Sequence, residues 1–286
     1  MFSRTRRTER ASVVDPVASW PAEEGHCHDL PESDIQTPES LRFLTFNIQV
    51  GIKTTAYRQY VTKGWKHLFP HVDRAKNLQE IARIIRDFDV VSLQEIDAGS
   101  IRSGFINQVE FLAQVAGFPY WYTQLNRDLG PIAQHGNGLL SRISPMNLED
   151  HKLPGVIPGR GAMFLRLPFG RQDVVVVMMH LSLGERSRMY QLEYIAQCLE
   201  GEDNVVVMGD MNTPASTLLE TSALRELNLT GGHVGPTYPS WEPKAALDHI
   251  LVSPNLCVRD YRVLDCQVSD HLPIAVEVAA EQPVLQ

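Results

Sequence analysis

The sequence predicts a strand-rich α/β protein in which two mixed, mostly antiparallel sheets pack face to face, with helices on the outside. Short apolar, β-branched runs recur after residue 40 and end in polar residues, which is typical of buried strands. Apolar residues at helical spacing, such as Leu78, Ile81 and Ile85, separate some of these runs. Other runs, as in 138–167, follow one another without a helix. Because such neighbours form antiparallel pairs, a purely doubly wound sheet is not expected.

The elements follow in chain order. Residues 1–40 are polar and lack periodicity, so we expect an N-terminal arm that is disordered or loosely attached. Residues 41–280 are predicted to form one globular domain, and residues 281–286 a short tail. The predicted strands are Leu41–Ile48, Val90–Gln94, Gly138–Ser141, Ala162–Leu167, Asp173–His180, Asn204–Gly209, His249–Val252 and Ile274–Val278. The predicted helices are Ala75–Phe88, Asn107–Ala116, Arg186–Leu199 and Pro214–Glu220.

Composition limits the possible functions. The chain has 286 residues, 43% of them hydrophobic, which is enough for a sizeable core. Its formal charge of −8 at pH 7 is unlike that of a dedicated nucleic-acid binder, so a polyanionic substrate must be met locally. The four cysteines form no CxxC pair, and no apolar export segment follows the N-terminal arginines. We expect a cytoplasmic monomer without a transmembrane segment.

Polar side chains stand at the carboxyl ends of several predicted strands. Four strand patterns end in a carboxamide, carboxylate or imidazole, and two Asp-His pairs occur further along: Asn47, Glu95, His180, Asp210 with Asn212, Asp248-His249 and Asp270-His271. Active sites of layered sheets are commonly built at such edges. Oxygen ligands of this kind suit Mg²⁺ or Mn²⁺. Because magnesium often binds through one or two carboxylates and a substrate phosphate, a phosphate substrate is expected.

Six of these segments resemble, in order and approximate spacing, the endonuclease/exonuclease/phosphatase (deoxyribonuclease I-like) superfamily. They are Thr45-Phe-Asn47, Leu93-Gln-Glu95, Gly138-Leu-Leu-Ser-Arg142, Gly209-Asp-Met-Asn212, Leu247-Asp-His-Ile-Leu251 and Ser269-Asp-His-Leu-Pro273. The resemblance runs from about Leu41 to Val278. It implies a four-layered α/β sandwich with the site at one rim of the two sheets.

The resemblance also implies a metal site. Glu95 matches the principal ligand of a Mg²⁺ or Mn²⁺ cofactor, with Asn47 and Asp270 beside it. Some members carry an acid where this chain has Gln49, which weakens the prediction of a second metal ion.

The same resemblance assigns the groups around the scissile phosphate. Asp210 matches the residue that activates or orients the attacking water, and Asn212 the amide that holds this water or a phosphate oxygen. His271 matches the histidine that contacts the phosphate, oriented by Asp248. His180 matches the donor to a phosphoryl oxygen. His249 is expected to point away from Asp248, because neighbouring strand side chains alternate.

These assignments predict in-line attack of an activated water on a phosphodiester or phosphomonoester, in a small molecule, a lipid headgroup or a nucleic acid. A metal-dependent nuclease is the alternative, and a catalytically inactive scaffold that binds phosphorylated ligands is a third hypothesis. Apurinic endonucleases usually carry tyrosine where this chain has His180, so DNA repair is disfavoured.

The candidate substrate-binding residues are Arg58, Lys63, Arg102, Arg160 and Trp241. A structural ion pair is as good an interpretation of Arg160 as phosphate contact, and the basic, aromatic segment 53–76 fits either a substrate site or a solvated surface.

Overall fold

The computed structural model describes residues 37–52, 72–155, 158–231 and 235–280. The strands are β1 Ser40–Asn47, β2 Val90–Asp97, β3 Tyr120–Asp128, β4 Gln134–Ser141, β5 Asn147–Lys152, β6 Gly161–Phe169, β7 Gln172–His180, β8 Val205–Asp210, β9 Thr230–Gly231, β10 Asp248–Val252, β11 Leu256–Val263 and β12 Ile274–Ala280. The α-helices are α1 Val72–Ile85, α2 Gln108–Ala116 and α3 Glu185–Cys198. Shorter helical turns are Gln49–Gly51, Ile101–Ser103, Thr217–Thr221 and Ala223–Leu227.

The strands form two six-stranded sheets. The first has the order β11-β12-β1-β2-β4-β3 and the second β5-β6-β7-β8-β10-β9. Each sheet contains one parallel pair, β1 with β2 and β7 with β8, and its other pairs are antiparallel. The predicted mixed, mostly antiparallel sheets are therefore confirmed.

Three hydrophobic clusters give the molecule four layers. One lies between the sheets and includes Phe43 from β1 and Val176 from β7. A second joins the first sheet to α1 and α2, and a third joins the second sheet to α3. In β7, Val176 and Met178 face the other sheet while Val175 and Val177 face α3, which explains the continuous apolar run. The four-layered sandwich implied by the resemblance is present.

An apolar stripe and a capping side chain stabilise the first two helices. In α1, Leu78, Ile81 and Ile85 form the buried stripe against the first sheet. The Asn107 side chain caps α2 by accepting the Val109 and Glu110 backbone N–H groups.

Arg142, which ends the segment Gly138-Leu-Leu-Ser-Arg142, has a structural role. Its guanidinium donates to the carbonyl oxygens of Arg86, Phe88, Ala116 and Gly117, where α1 and α2 and the segments after them end. It therefore satisfies carbonyls that the helices leave without partners.

Some predicted elements need correction. Strands β3, β5, β9 and β11 were not predicted, because their solvent-facing residues are polar or charged and the apolar alternation is weak. The predicted helix Pro214–Glu220 is a five-residue π-helical turn, Thr217–Thr221. Cys198 at the end of α3 is exposed, because the buried stripe of this helix runs through Leu192 and Ile195.

Other predictions concern residues outside the described part of the chain. Most of the arm (1–36) and the whole tail (281–286) lie outside it. The segment 53–71, which includes Arg58 and Lys63, also lies outside it. Among the described helices, none combines the length and apolar character needed to span a bilayer.

Gly209 allows β7 and β8 to approach each other immediately before the site. Its φ is +148°, and an added Cβ would lie 1.9 Å from the Met179 carbonyl oxygen. We expect Gly209→Ala to lower the free energy of unfolding by about 2–3 kcal/mol, because backbone must move to admit the methyl group. Urea unfolding measures this loss. Gly201→Ala is the control, since a Cβ there meets nothing within 4 Å; an equal loss in both variants would contradict the explanation.

Candidate active site

Strand register brings three predicted site residues side by side in the second sheet. Asp210 ends β8, and it pairs with His180 of β7 on one side and with Asp248 of β10 on the other. All three side chains are almost fully buried. The His180 Nε2 atom lies 3.5 Å from Asp210 Oδ2. Two strand pairings thus fix the positions of these groups.

His271 completes this cluster from the loop that precedes β12. Its Nδ1 lies 2.8 Å from Asp248 Oδ2, and its Nε2 lies 3.9 Å from Asp210 Oδ2. Thr237 Oγ1 donates to the same Asp248 oxygen at 2.6 Å, and the Tyr238 ring packs 4.9 Å from the imidazole. Asp248 therefore orients His271 so that its Nε2 faces Asp210.

Asn47 connects the two sheets at the site. Its Nδ2 donates to Glu95 Oε1 at 3.2 Å and to Asp210 Oδ2 at 3.0 Å, while its Oδ1 accepts the Gln49 backbone N–H. The sequence predicted that Asn47 would bind metal through oxygen. In the structure its amide nitrogen donates to both carboxylates, so Asn47 bridges Glu95 and Asp210 by hydrogen bonds, and its role as a metal ligand stays a prediction.

A β-bulge sets the direction of Glu95. The register of β2 against β4 shifts between Leu93 and Ile96, and Glu95 adopts a φ of +55°. Gln94 therefore points into the protein, where its Nε2 donates to Ser92 and Thr45, while Glu95 lines an open cavity.

Asp270 lies at the same edge of the first sheet. β12 begins at Ile274 opposite Thr45, so the preceding loop leaves the sheet where Asn47 ends β1. Asp270 is 4% exposed, and one of its oxygens accepts the Ser269 hydroxyl.

The environment separates the protonation states of the buried groups. Burial and the negative charge of Asp248 raise the pKa of Asp210 to about 7. Burial, with the positive charges of Arg160 and His271, lowers the pKa of His180 well below its ordinary value. Burial opposes charge on His271 as well, but Asp248 and Asp210 raise its pKa well above the ordinary value. At neutral pH the site thus contains a cationic and a neutral imidazole, a division typical of acid/base sites.

Asn212 and His249 occupy different environments. Asn212 Nδ2 donates to the Leu181 carbonyl and its backbone N–H donates to Asp210 Oδ1, so Asn212 stands beside the carboxylate with a positive φ of +51°. His249 is fully buried, and its Nε2 lies 2.7 Å from the Thr213 carbonyl oxygen. It is a structural histidine, as strand alternation indicated.

A cavity of about 460 Å³ adjoins these groups. Glu95, His180 and Arg160 line it, together with Arg127 and His135. Burial lowers the pKa of Arg160, although the charges of Glu95 and Asp210 oppose this effect. Arg160 thus lies at the cavity, where both carboxylates act on its charge, and its contact with phosphate stays a prediction.

The other predicted substrate residues are not brought to this cavity in the same way. Arg102 is 4% exposed, and its Nε donates to Asp97 Oδ2 at 2.8 Å. One nitrogen of its guanidinium also lies 3.3 Å from Nε2 of His135, a residue that lines the cavity. We therefore infer that Arg102 positions His135. Trp241 is half-buried and follows Ser240, whose backbone N–H donates to the Asp270 carbonyl.

The acidic groups fit a hard divalent cation. Within the described residues, Asp210, Asp248 and His271 offer ligand atoms within 4.8 Å of one another. Asp248 Oδ2 already accepts two hydrogen bonds, so this cluster is better suited to proton transfer. Glu95, which faces the cavity, and Asp270 are the better candidates to hold a divalent cation.

Several groups at the site were not predicted from the sequence. Thr237 and Tyr238, which support His271, were given no role. Arg127 and His135 were missed because β3 and the first half of β4 were not predicted. Apolar and polar residues alternate too weakly in these segments to predict the strands that carry Arg127 and His135.

Comparisons with known proteins identify the family and the fold of this chain. A sequence profile of the Endonuclease/Exonuclease/phosphatase family matches residues 44–271. An endonuclease/exonuclease/phosphatase from Beutenbergia cavernae is 23% identical, with a TM-score of 0.67 over 87% of this chain and 73% of that one. A mannosyl-6-phosphatase from Bacteroides thetaiotaomicron is 16% identical, with a TM-score of 0.62 over 84% and 99%. D. rerio TDP2, complexed with a single-strand DNA product, is 17% identical, with a TM-score of 0.62 over 84% and 99%.

At these identities the solved structures show a shared fold. No curated protein sequence matches the chain.

Proposed function

Because the chain belongs to the Endonuclease/Exonuclease/phosphatase family, we propose that it is a divalent-metal-dependent phosphoesterase that hydrolyses a phosphodiester or phosphomonoester. A single observation supports this proposal most strongly. Asp210 lies at the centre of a hydrogen-bonded and ion-paired cluster with Asn47, His180 and His271, and Asn47 connects it to Glu95 at the cavity.

Each group has a task that its position allows. Asp210 accepts a proton from the attacking water, and Asn212 beside it helps to hold that water. His271, oriented by Asp248, contacts the scissile phosphate through Nε2. His180 donates to a phosphoryl oxygen and stabilises the charge that develops there.

The metal site completes this proposal. Glu95 and Asp270 would hold Mg²⁺ or Mn²⁺, which supplies neutralisation of a phosphoryl oxygen when bound. Asn47 keeps the Glu95 carboxylate in place. The cytoplasmic location and the monomeric state are further predictions from the sequence.

Metal removal tests the metal site. We expect EDTA to reduce turnover to the background rate and Mg²⁺ or Mn²⁺ to restore it. In Glu95→Gln, binding of Mn²⁺, followed by electron paramagnetic resonance, should weaken roughly tenfold or more because a charged ligand is lost. Glu149→Gln, a half-buried acid on β5, is the matched control. Full activity in EDTA would rule out metal dependence.

The activity itself is tested with bis-p-nitrophenyl phosphate, p-nitrophenyl phosphate, and single- and double-stranded DNA. The wild type should hydrolyse at least one of them, and Asp210→Ala and His271→Ala should not. If none is hydrolysed with either metal ion, or if both variants retain full activity, the enzymatic proposal is wrong and the scaffold hypothesis gains support.

A nuclease is the second candidate, and the fold shared with D. rerio TDP2 in its complex with single-strand DNA is the observation that favours it. Cleavage of DNA far faster than the small diester would establish this alternative.

A further inference from the structure

The cavity next to Glu95 and His180 contains more positive charge than its acidic lining can balance. Among the described residues that line it, Glu95 is the acidic side chain, whereas Arg127 and Arg160 both contribute guanidinium groups. One carboxylate can compensate one guanidinium. The lining of the cavity therefore carries a net positive charge, which attracts anions, although the buried Asp210 next to the cavity also acts on Arg160.

The two arginines come from different sheets and meet at this cavity. Arg127 belongs to β3 of the first sheet, and Arg160 directly precedes β6 of the second. Gly159 brings the two segments into contact, because its φ is +106° and a Cβ there would lie 3.5 Å from Arg127 Cβ and 3.3 Å from the Asn126 carbonyl oxygen. The loop that carries Arg160 is thus held against the strand that carries Arg127.

Within the described part of the chain, neither arginine is committed to an ion pair. Arg102 pairs with Asp97 and Arg166 with Asp173 and Glu202, but the pairs found among the described residues do not include Arg127 or Arg160. Their guanidinium groups can therefore meet an anionic group of a ligand, which they would bind with charge-assisted hydrogen bonds.

We infer that Arg127 and Arg160 form a subsite for a second anionic group of the substrate, distinct from the phosphoester that is cleaved. This inference rests on the proposed function and narrows it: the substrate is a small phosphoester with an additional phosphate or carboxylate. A cavity of about 460 Å³ lies within the range of sites for small molecules.

Two pairs of probes differ by a single phosphate. For turnover, the pair is the p-nitrophenyl ester of thymidine 5′-phosphate and the same diester with a 3′-phosphate. For binding, measured by calorimetry, the pair is glucose 6-phosphate and glucose 1,6-bisphosphate, in which the two phosphates lie at a different separation. We expect wild type to favour the probe with the additional phosphate by about tenfold to a hundredfold in at least one pair.

Variants of Arg127 then locate the effect. Arg127→Ala and the charge reversal Arg127→Glu should abolish the preference, whereas Arg127→Lys should retain part of it. Arg171→Ala, in the exposed turn between β6 and β7 at the far end of these strands from His180, should keep the wild-type ratio. Misfolding changes both rates of a pair equally, so the ratio reports the subsite alone.

The outcomes separate the two proposals. The subsite is overturned if wild type shows equal turnover of the two nitrophenyl esters and equal affinity for the two glucose phosphates. It is also overturned if the preference for the additional phosphate survives in Arg127→Glu, even when turnover is rapid. If neither nitrophenyl ester of thymidine 5′-phosphate is cleaved with Mg²⁺ or Mn²⁺, and bis-p-nitrophenyl phosphate, p-nitrophenyl phosphate and DNA are not cleaved either, the proposed function fails. The subsite is still supported in that case if glucose 1,6-bisphosphate binds more tightly and Arg127→Glu removes the difference.

Discussion

Asp210→Asn should lower kcat/KM for the best phosphoester substrate by about a thousandfold. The variant keeps the size and shape of the side chain but cannot accept the proton of the attacking water. Because burial and the negative charge of Asp248 disfavour the Asp210 carboxylate, the melting temperature should not fall. Steady-state kinetics and thermal unfolding of the same preparation test both statements.

Asp203→Asn is the matched control for this substitution. Asp203 is exposed in the turn before β8, whereas Asp210 ends the strand. This control should retain full activity. If Asp210→Asn kept more than about a tenth of the wild-type rate, Asp210 would not be the proton acceptor.

Asp97→Asn should have the largest effect on stability, a loss of about 3–5 kcal/mol in the free energy of unfolding. The Asp97 carboxylate is completely buried and accepts hydrogen bonds from Ser100, Ser103 and Arg102. Without its charge, the buried Arg102 guanidinium has lost its counter-ion. Urea unfolding measures the loss. Asp260→Asn, which breaks a pair with Arg262 between side chains that are 51% and 61% exposed, should cost less than about 1 kcal/mol.

The pH dependence of stability gives an independent check on Asp97. Burial alone would raise its pKa, but hydrogen bonds from Ser100, Gly99 and Ser103 lower it from 3.8 to about 2. A lowered pKa stabilises the fold above the unfolded value, so this contribution, about 2 kcal/mol, is present above pH 4. It disappears as the pH falls from about 4 to about 2. An Asp97→Asn curve with the same acid-limb slope as wild type would contradict this assignment.

The strands and helices that could be predicted from the sequence are those whose apolar residues match the positions that are buried in the structure. β7 was recognisable because both of its faces are buried, which makes Val174 to Met179 continuously apolar. α2 was recognisable from its apolar spacing and from Asn107 at its start. β3 and β11 were missed because one face of each is exposed, and only the pairing with a neighbouring strand identifies them.

The site shows the same division. The acids and histidines at strand ends predicted which residue types would gather, and register places His180, Asp210 and Asp248 side by side. The orientation of Asn47 was not predictable, because it depends on two carboxylates from different sheets. Arg127 was not predictable either, since its position depends on contact between β3 and a loop that is distant in sequence.

The order of strands in the first sheet also has a consequence for how the chain folds during synthesis. β1 ends at Asn47, yet its antiparallel partner β12 begins only at Ile274. While the ribosome is still making the intervening chain, one edge of β1 has no native partner, and such an edge can pair with other chains. Closing this sheet requires a contact between segments far apart in sequence, which slows folding. Truncations before Ile274 would therefore be expected to aggregate during expression.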